Sequence, residues 1–306
     1  ERFAKQALAL ESAKRASEFH GRRCRRFELL PATTKGPPPK GAKWLHFVRH
    51  GEGLHNVWRN AEFAAGRTPR AKRDNMDQVP AELHDPLLTA RGRTEAEAAR
   101  DKVRSQRCRP ALLVTSPLRR AVQTLLLAFE DAVKAGTTCL AHELAREEVR
   151  GGDGDPSIYD SRKPRKILAE EFPEVDFRSY VLPPDEAEDG KDVNAVAGAP
   201  ALQQSILRGD PLWWRRASPF GSSRAGENEA ALAERAWHFL CWLMSRPEEE
   251  IAIASHSIFL LSLFHGALDP SPGQICHAGP QFFHTGELRS VLVRELPEPP
   301  KPLDDE

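Results

Sequence analysis

Leu45-His46-Phe47-Val48-Arg49-His50-Gly51-Glu52 decides how this 306-residue chain reads. The largely apolar run from Trp44 to Val48 has the length and character of a short buried strand. It stops at Arg49-His50, where a strand core would not place charge. A cation beside an imidazole, followed by a permissive glycine, suits a nucleophile held at the end of a strand. The competing account is a core strand running into a polar loop, and the rest of the chain must choose between the two.

Further strand ends carry similar groups. Ala111–Thr115 reads as a second buried strand, after which Ser116-Pro117-Leu118 opens a helix to about Ala135, with proline at an early helical position where its missing N–H costs little. Thr137–Ala141 is a short third strand. Ile251–Ala254 is another, ending at Ser255-His256, with Ile258–Phe264 as the helix after it, and Leu288–Val293 alternates like a last strand. Helices are expected over Thr94–Arg104, with Thr89 as N-cap, and from about Pro164 to Phe172. Glu227 to Ser245 is strongly amphipathic, with Leu232, Ala236, Phe239, Leu240 and Leu243 on one side. Trp58 to Pro86 reads as a polar insertion without clear periodicity, and Trp213-Trp214-Arg215-Arg216 as a loop anchored to the core or a substrate-facing lid.

Strands alternating with helices predict an α/β fold, a three-layer αβα sandwich around a mostly parallel sheet. Ligands of such sheets gather beyond the carboxyl ends of the strands. Arg49-His50, Ser116 to Arg120 and Ser255-His256 all fall at such ends, which points to a catalytic site. Residues 1–41 read as a helical, basic segment up to about Leu30 followed by a stiff linker at Gly36-Pro37-Pro38-Pro39; 42–296 as the folded domain; and 297–306 as a proline-rich and acidic tail.

Composition narrows the function classes. Forty-four basic and 44 acidic residues give a formal charge of zero, so the chain is not a nucleic-acid binder by overall charge, and any anion specificity must be local. A mean hydropathy of −0.53, with no apolar run near the ~20 residues that span a bilayer, gives no expectation of a membrane protein. The five cysteines are scattered and lack Cys-x-x-Cys spacing, which disfavours a disulfide framework or a zinc site and fits a reducing, cytoplasmic setting.

Arg49-His50-Gly51-Glu52, with Asn56 six residues after the histidine, closely resembles the signature of the histidine phosphatase (phosphoglycerate mutase-like) superfamily. Ser116-Pro117-Leu118-Arg119-Arg120-Ala121-Val122-Gln123-Thr124 resembles that family's Ser-x-Leu-x-Arg-Ala-x-x-Thr element. Leu144-Ala145-Arg146-Glu147 resembles its acid loop, and Ser255-His256-Ser257 its second histidine element; the four stand in the family's order. Asp160-Ser161-Arg162-Lys163, Phe172-Pro173-Glu174-Val175-Asp176-Phe177 and Gly286-Glu287-Leu288-Arg289-Ser290 are similar to a plant- and alga-type branch.

The resemblance implies a metal-independent phosphomonoesterase without cofactor, acting on a small phosphorylated metabolite through a phosphohistidine. His50 would be the nucleophile; Arg49, Arg120 and His256 would hold the phosphoryl oxygens, Asn56 would add a neutral donor, and Glu147 would be the general acid. Arginine forks suit phosphate geometry, and phosphoryl transfer needs mainly positioning and charge stabilisation. A mutase using the same intermediate, or a catalytically silent phospho-ligand module, would share the motifs. Arg119 is expected on the solvent side, His46 and His55 as structural or rim residues, and Glu227 as an orienter of a site arginine or a simple helix-start acid. Two departures stand out: Ser257-Ile258 where the family often has glycine, and a glycine-rich stretch from Gly151 to Gly154 after the acid loop.

Overall fold

The computed structural model describes residues 26–30, 38–69, 71, 79–148, 157–181, 227, 229–268 and 282–296. Among them six strands, β1 (Phe27–Leu30), β2 (Ala42–Arg49), β3 (Leu112–Thr115), β4 (Thr138–Ala141), β5 (Glu250–Ser255) and β6 (Leu288–Glu295), form one sheet in the order β1-β6-β2-β5-β3-β4. Strands β2, β5, β3 and β4 run parallel, whereas β6 is antiparallel to both β2 and β1. Among the described residues seven α-helices accompany the sheet: α1 (Leu54–Ala64), α2 (Ala90–Gln106), α3 (Arg119–Ala128), α4 (Glu130–Lys134), α5 (Arg165–Glu171), α6 (Glu229–Ser245) and α7 (Ser257–Ser262).

The three layers follow from strand alternation, since successive side chains point to opposite faces. Leu45, Phe47, Leu112, Val114, Ile251 and Ile253 form one core with Phe239 and Leu243 of α6 and with Phe259 and Leu260 of α7. The intervening Val48, Leu113, Ala252 and Ala254 form the other core with Ala99 and Val103 of α2 and with Ala121, Val122 and Leu125 of α3. Phe47 is fully buried and meets Phe264 edge-on at 5.4 Å between ring centroids. Truncating such a side chain to alanine costs about 3–5 kcal/mol, because the rigid sheet cannot close over the cavity.

Strand register delivers the site. Arg49 pairs with Ser255, and Thr115 with Ala254, so His50, Ser116 and His256 leave the sheet side by side. Two bonds continue the ladder past its ends: His50 N–H to the Ser255 carbonyl (3.0 Å) and Ser116 N–H to the Ala254 carbonyl (2.9 Å).

Several sequence expectations change. The polar stretch after Trp58 is helical at its start, because α1 runs from Leu54 and lays Leu54 and Trp58 on a small core of Ala71, Val79, Leu83 and Ile158. The helix after Ser116 starts at Arg119, so Pro117 precedes it; Asp85, far away in sequence, accepts the Arg119 N–H at 2.9 Å. That helix also breaks at Phe129 and resumes as α4. Phe27–Leu30, inside the expected basic helix, is instead an edge strand on β6, so the sheet takes in residues before the proline-rich stretch. Thr89 caps α2 as expected, its hydroxyl oxygen accepting the Gly92 N–H at 3.0 Å. Trp213 to Arg216, the glycine-rich 149–156 and the tail 297–306 lie outside the described residues. Among the described residues no helix is long and apolar enough to cross a membrane.

Candidate active site

Gly51 turns the chain from β2 toward α1 against the first turn of α2. A Cβ on Gly51 would stand 2.2 Å from the Gly92 carbonyl oxygen, and one on Gly92 would stand 2.1 Å from the Glu52 carbonyl oxygen. Only two glycines allow these backbones to meet. The Gly51 N–H donates to Thr124 Oγ1 (3.0 Å), and that hydroxyl donates to the Arg120 carbonyl (2.7 Å), tying the first motif to the helix that carries Arg120.

His50, 2% exposed, donates from Nδ1 to the Gly51 carbonyl at 2.7 Å. That bond places the proton on Nδ1 and leaves Nε2 with its lone pair. Burial above all, then the charges of Arg120 and Arg49, hold its pKa well below the ordinary histidine value. The imidazole is therefore neutral.

Around it stand two more histidines. The His256 ring centroid is 5.1 Å away and that of His55 is 5.5 Å away. Both are buried and, again through burial first and Arg120 second, held neutral. His256 Nε2 lies 2.8 Å from Ser116 Oγ, and its Nδ1 is 3.3 Å from Arg120 Nη2. A guanidinium only donates, so Nδ1 is the acceptor and Nε2 carries the proton to Ser116. His55 stacks on Tyr159 at 5.3 Å, and the same ring lies 5.9 Å beneath the Arg59 guanidinium.

Arg120 is 1% exposed and is aimed by the short helical turn Ile158–Asp160, through bonds to the Tyr159 carbonyl (2.5 Å) and to Asp160 Oδ1 (2.7 Å). Arg49 donates to the Phe283 carbonyl at 2.7 Å. Among the described residues, the Nε atoms of Arg49 and Arg120 and the Nδ1 of His55 are buried without a hydrogen-bond partner. Unpaired buried polar atoms are costly and rare, and the two guanidinium N–H groups among them are donors suited to an anion.

The remaining candidates take distinct places. Asn56 Oδ1 accepts the Gly53 N–H at 2.9 Å, fixing the start of α1. Glu147 accepts the Phe259 N–H (3.1 Å) and the Ser257 hydroxyl (3.4 Å), so its carboxylate sits at the start of α7, next to His256, while its charge still acts on Arg49. Arg119 faces outward to Glu171 at 2.7 Å. Glu227 grips Arg235 through both oxygens, at 2.6 and 2.7 Å, rather than Arg49 or Arg120. His46 lies four residues back along β2, on other partners.

Sequence reasoning did not single out Arg59, Asp160 as the partner of Arg120, or Arg235. Arg59 was legible in part, because on a helix it stands three and four residues after Asn56 and His55 and shares their face. Burial raises the Asp160 carboxyl above the usual range against the pull of Arg120.

Comparison with known proteins bears on the family. Residues 45–135 match the histidine phosphatase superfamily (branch 1). A phosphoglycerate mutase-like protein of Arabidopsis thaliana is 30% identical over 246 residues, 78% of each chain. Phosphoglycerate mutase-like protein 1 of the same plant is 25% identical over 262 residues, covering 84% of this chain and 83% of its own. Among solved structures, the ecdysone phosphate phosphatase of Bombix mori covers 72% of this chain and 75% of its own, at 18% identity and a TM-score of 0.38. That last likeness is too slight to inform the substrate. With the buried His50 site, the ordered motifs and a relative matching over most of both chains, this protein belongs to the histidine phosphatase superfamily.

Proposed function

We propose that the chain is a metal-independent phosphomonoesterase that passes the phosphoryl group of a small phosphorylated metabolite to His50 and then to water. The observation that carries this reading is the protonation pattern of His50, with Nδ1 bonded to Gly51 and a neutral Nε2 among buried guanidiniums with unpaired nitrogens.

In the first step Nε2 attacks phosphorus in line, the N–P bond forms as the ester P–O bond breaks, and Arg49 and Arg120 hold the charge of the equatorial oxygens. Asn56 adds a neutral donor through its amide nitrogen, and His256 adds another once its Nε2–H turns from Ser116 to an incoming oxygen. The leaving alkoxide takes a proton from Glu147 as the general acid, its carboxyl reached from the start of α7. Water then attacks the phosphohistidine, Glu147 takes back a proton, and inorganic phosphate leaves. Asp160 is a second carboxyl for this proton, favoured by the burial that raises its pKa although the bond to Arg120 pulls the other way.

A screen of phosphometabolites in EDTA tests the proposal. Phosphate release, together with an acid-labile phosphoprotein trapped on denaturing quench and absent from His50→Ala, is the expected result. Isomerisation of phosphoglycerates without phosphate release would make the chain a mutase, and phosphate binding without turnover would make it a binding module.

A further inference from the structure

On the same strand as the nucleophile, but toward the opposite end of the parallel strands, a second group of chemically active side chains converges. His46 of β2 is 3% exposed. Its Nδ1 lies 2.8 Å from Ser290 Oγ of β6, and its Nε2 lies 2.9 Å from Glu250 Oε1 at the start of β5. Cys108, on the loop between α2 and β3, comes within 4.0 Å of the Ser290 hydroxyl through its Sγ. One ligating atom from each of His46, Cys108 and Glu250 lies within 4.8 Å of the others. At roughly 3.3 Å per strand residue, the group stands about 13 Å along β2 from His50, outside the reacting pocket.

We propose that His46, Cys108 and Glu250 form a binding site for a borderline-soft divalent cation, Zn²⁺ by its chemistry. A thiolate, an imidazole and a carboxylate are the donor types that Zn²⁺ takes, and hard cations such as Mg²⁺ or Ca²⁺ would not choose the sulfur. Donors about 2.0–2.3 Å from a common tetrahedral centre stand roughly 3.5 Å apart, so closing from the present separations needs a shift on the order of 1 Å. The moving part is Cys108, which is partly exposed and sits on a loop, whereas His46 is fixed within the sheet. That exposure also provides the entry path. A solvent water or the Ser290 hydroxyl completes the four positions.

The supporting bonds orient the donors. Gln106 Oε1 accepts the Ser290 hydroxyl at 2.7 Å, and the Arg109 N–H donates to Glu250, fixing the carboxylate beside the loop. On binding, Zn²⁺ displaces the thiol proton and the proton on the ligating nitrogen of His46, both released to solvent. The ion then ties β2, β5 and the loop into β3 together beneath the sheet that carries His50. The three ligands come from positions 46, 108 and 250, so no spacing rule applied to the sequence would find them.

The test is Co²⁺ substitution in the full chain after chelation and dialysis. One equivalent of Co²⁺ should produce a thiolate-to-cobalt charge-transfer band in the near ultraviolet with tetrahedral d–d bands in the visible. One equivalent of Zn²⁺ should bleach both and raise Tm. Cys108→Ser should lose the charge-transfer band and at least tenfold in Zn²⁺ affinity while keeping phosphatase turnover, and Glu250→Gln should weaken binding without losing the sulfur band. Absence of the band in the wild-type chain overturns the proposal. So does a band that survives in Cys108→Ser, which would place the ion on another cysteine.

Discussion

Arg235, buried in α6, holds the Glu227 carboxylate with two bonds and spends its remaining donors on the acid loop. Its Nη1 lies 2.8 Å from both the Leu144 and Arg146 carbonyls, its Nη2 3.3 Å from the Glu147 carbonyl, and its guanidinium stacks 4.9 Å over Phe259. One side chain thus positions the loop bearing Glu147 against the helix that follows His256.

Breaking that pair should therefore disturb both stability and catalysis. Arg235→Met leaves Glu227 buried without its cation and should cost about 3–5 kcal/mol in urea unfolding. Combining it with Glu227→Met should recover part of the loss, because the buried carboxylate that faced Arg235 is gone too. In the double variant kcat should stay depressed, since the acid loop has lost its anchor.

The glycine contact between Gly51 and Gly92 gives a sharper packing test. Gly92→Ala pushes a methyl into the Glu52 carbonyl and should destabilise the fold by about 1–3 kcal/mol. Turnover should fall further than stability, because the displaced backbone carries the carbonyl that orients His50. Activity measured well below the variant's Tm separates the two effects.

Leaving-group dependence should identify the proton donor. Glu147→Gln is expected to slow alkyl phosphates by roughly 10²-fold or more while sparing aryl phosphates, whose leaving groups need little protonation. Asp160→Asn should slow both alike by loosening Arg120. The reverse pattern would assign the proton to Asp160.

The acid limb of kcat/KM should lie well below 6.5, because burial, Arg120 and Arg49 keep His50 neutral there. Arg49→Met removes one of these cations, so the limb should move up toward the ordinary histidine value. Substrate ionisation is common to both enzymes and cancels in the difference.

Stability should show the opposite face of the same burial. His142, among Tyr180, Phe239 and Trp242, is pushed down to about 3 by burial, and His50, His55 and His256 are depressed too. Their folded pKa values lie below the unfolded value near 6.5, so the unfolded chain takes up protons first, and stability falls as pH drops below 6.5. Each histidine contributes up to about 1.4 kcal/mol per pH unit in that window. Asp85, raised to about 6 by burial, acts with the other sign between its unfolded value and 6; Asp160, also raised by burial, acts with that same sign, and the two offset only part of the loss. Urea midpoints at pH 7 and 5 check the net slope.

Much of this molecule is written locally. The apolar runs at β2, β3 and β5 and the periodicity of α6 declare a layered α/β fold, because burial on one or both faces demands those patterns. Arg49, His50, Arg120 and His256 were legible because each motif ends a strand or opens the next helix, and parallel strands bring such ends together. Long-range contacts were not legible. Asp85 starting α3, Asp160 aiming Arg120, Arg235 gripping the acid loop, and His46 meeting Cys108 and Glu250 all join residues tens to hundreds of positions apart. The edge strand β1 was read as helix because its few residues depend on β6 for hydrogen bonds. The sequence by itself determined which residue types stand at the strand ends and hence the chemistry available. The tertiary structure decided the protonation of His50 and which cations face it, because desolvation and charge proximity exist only once the layers close.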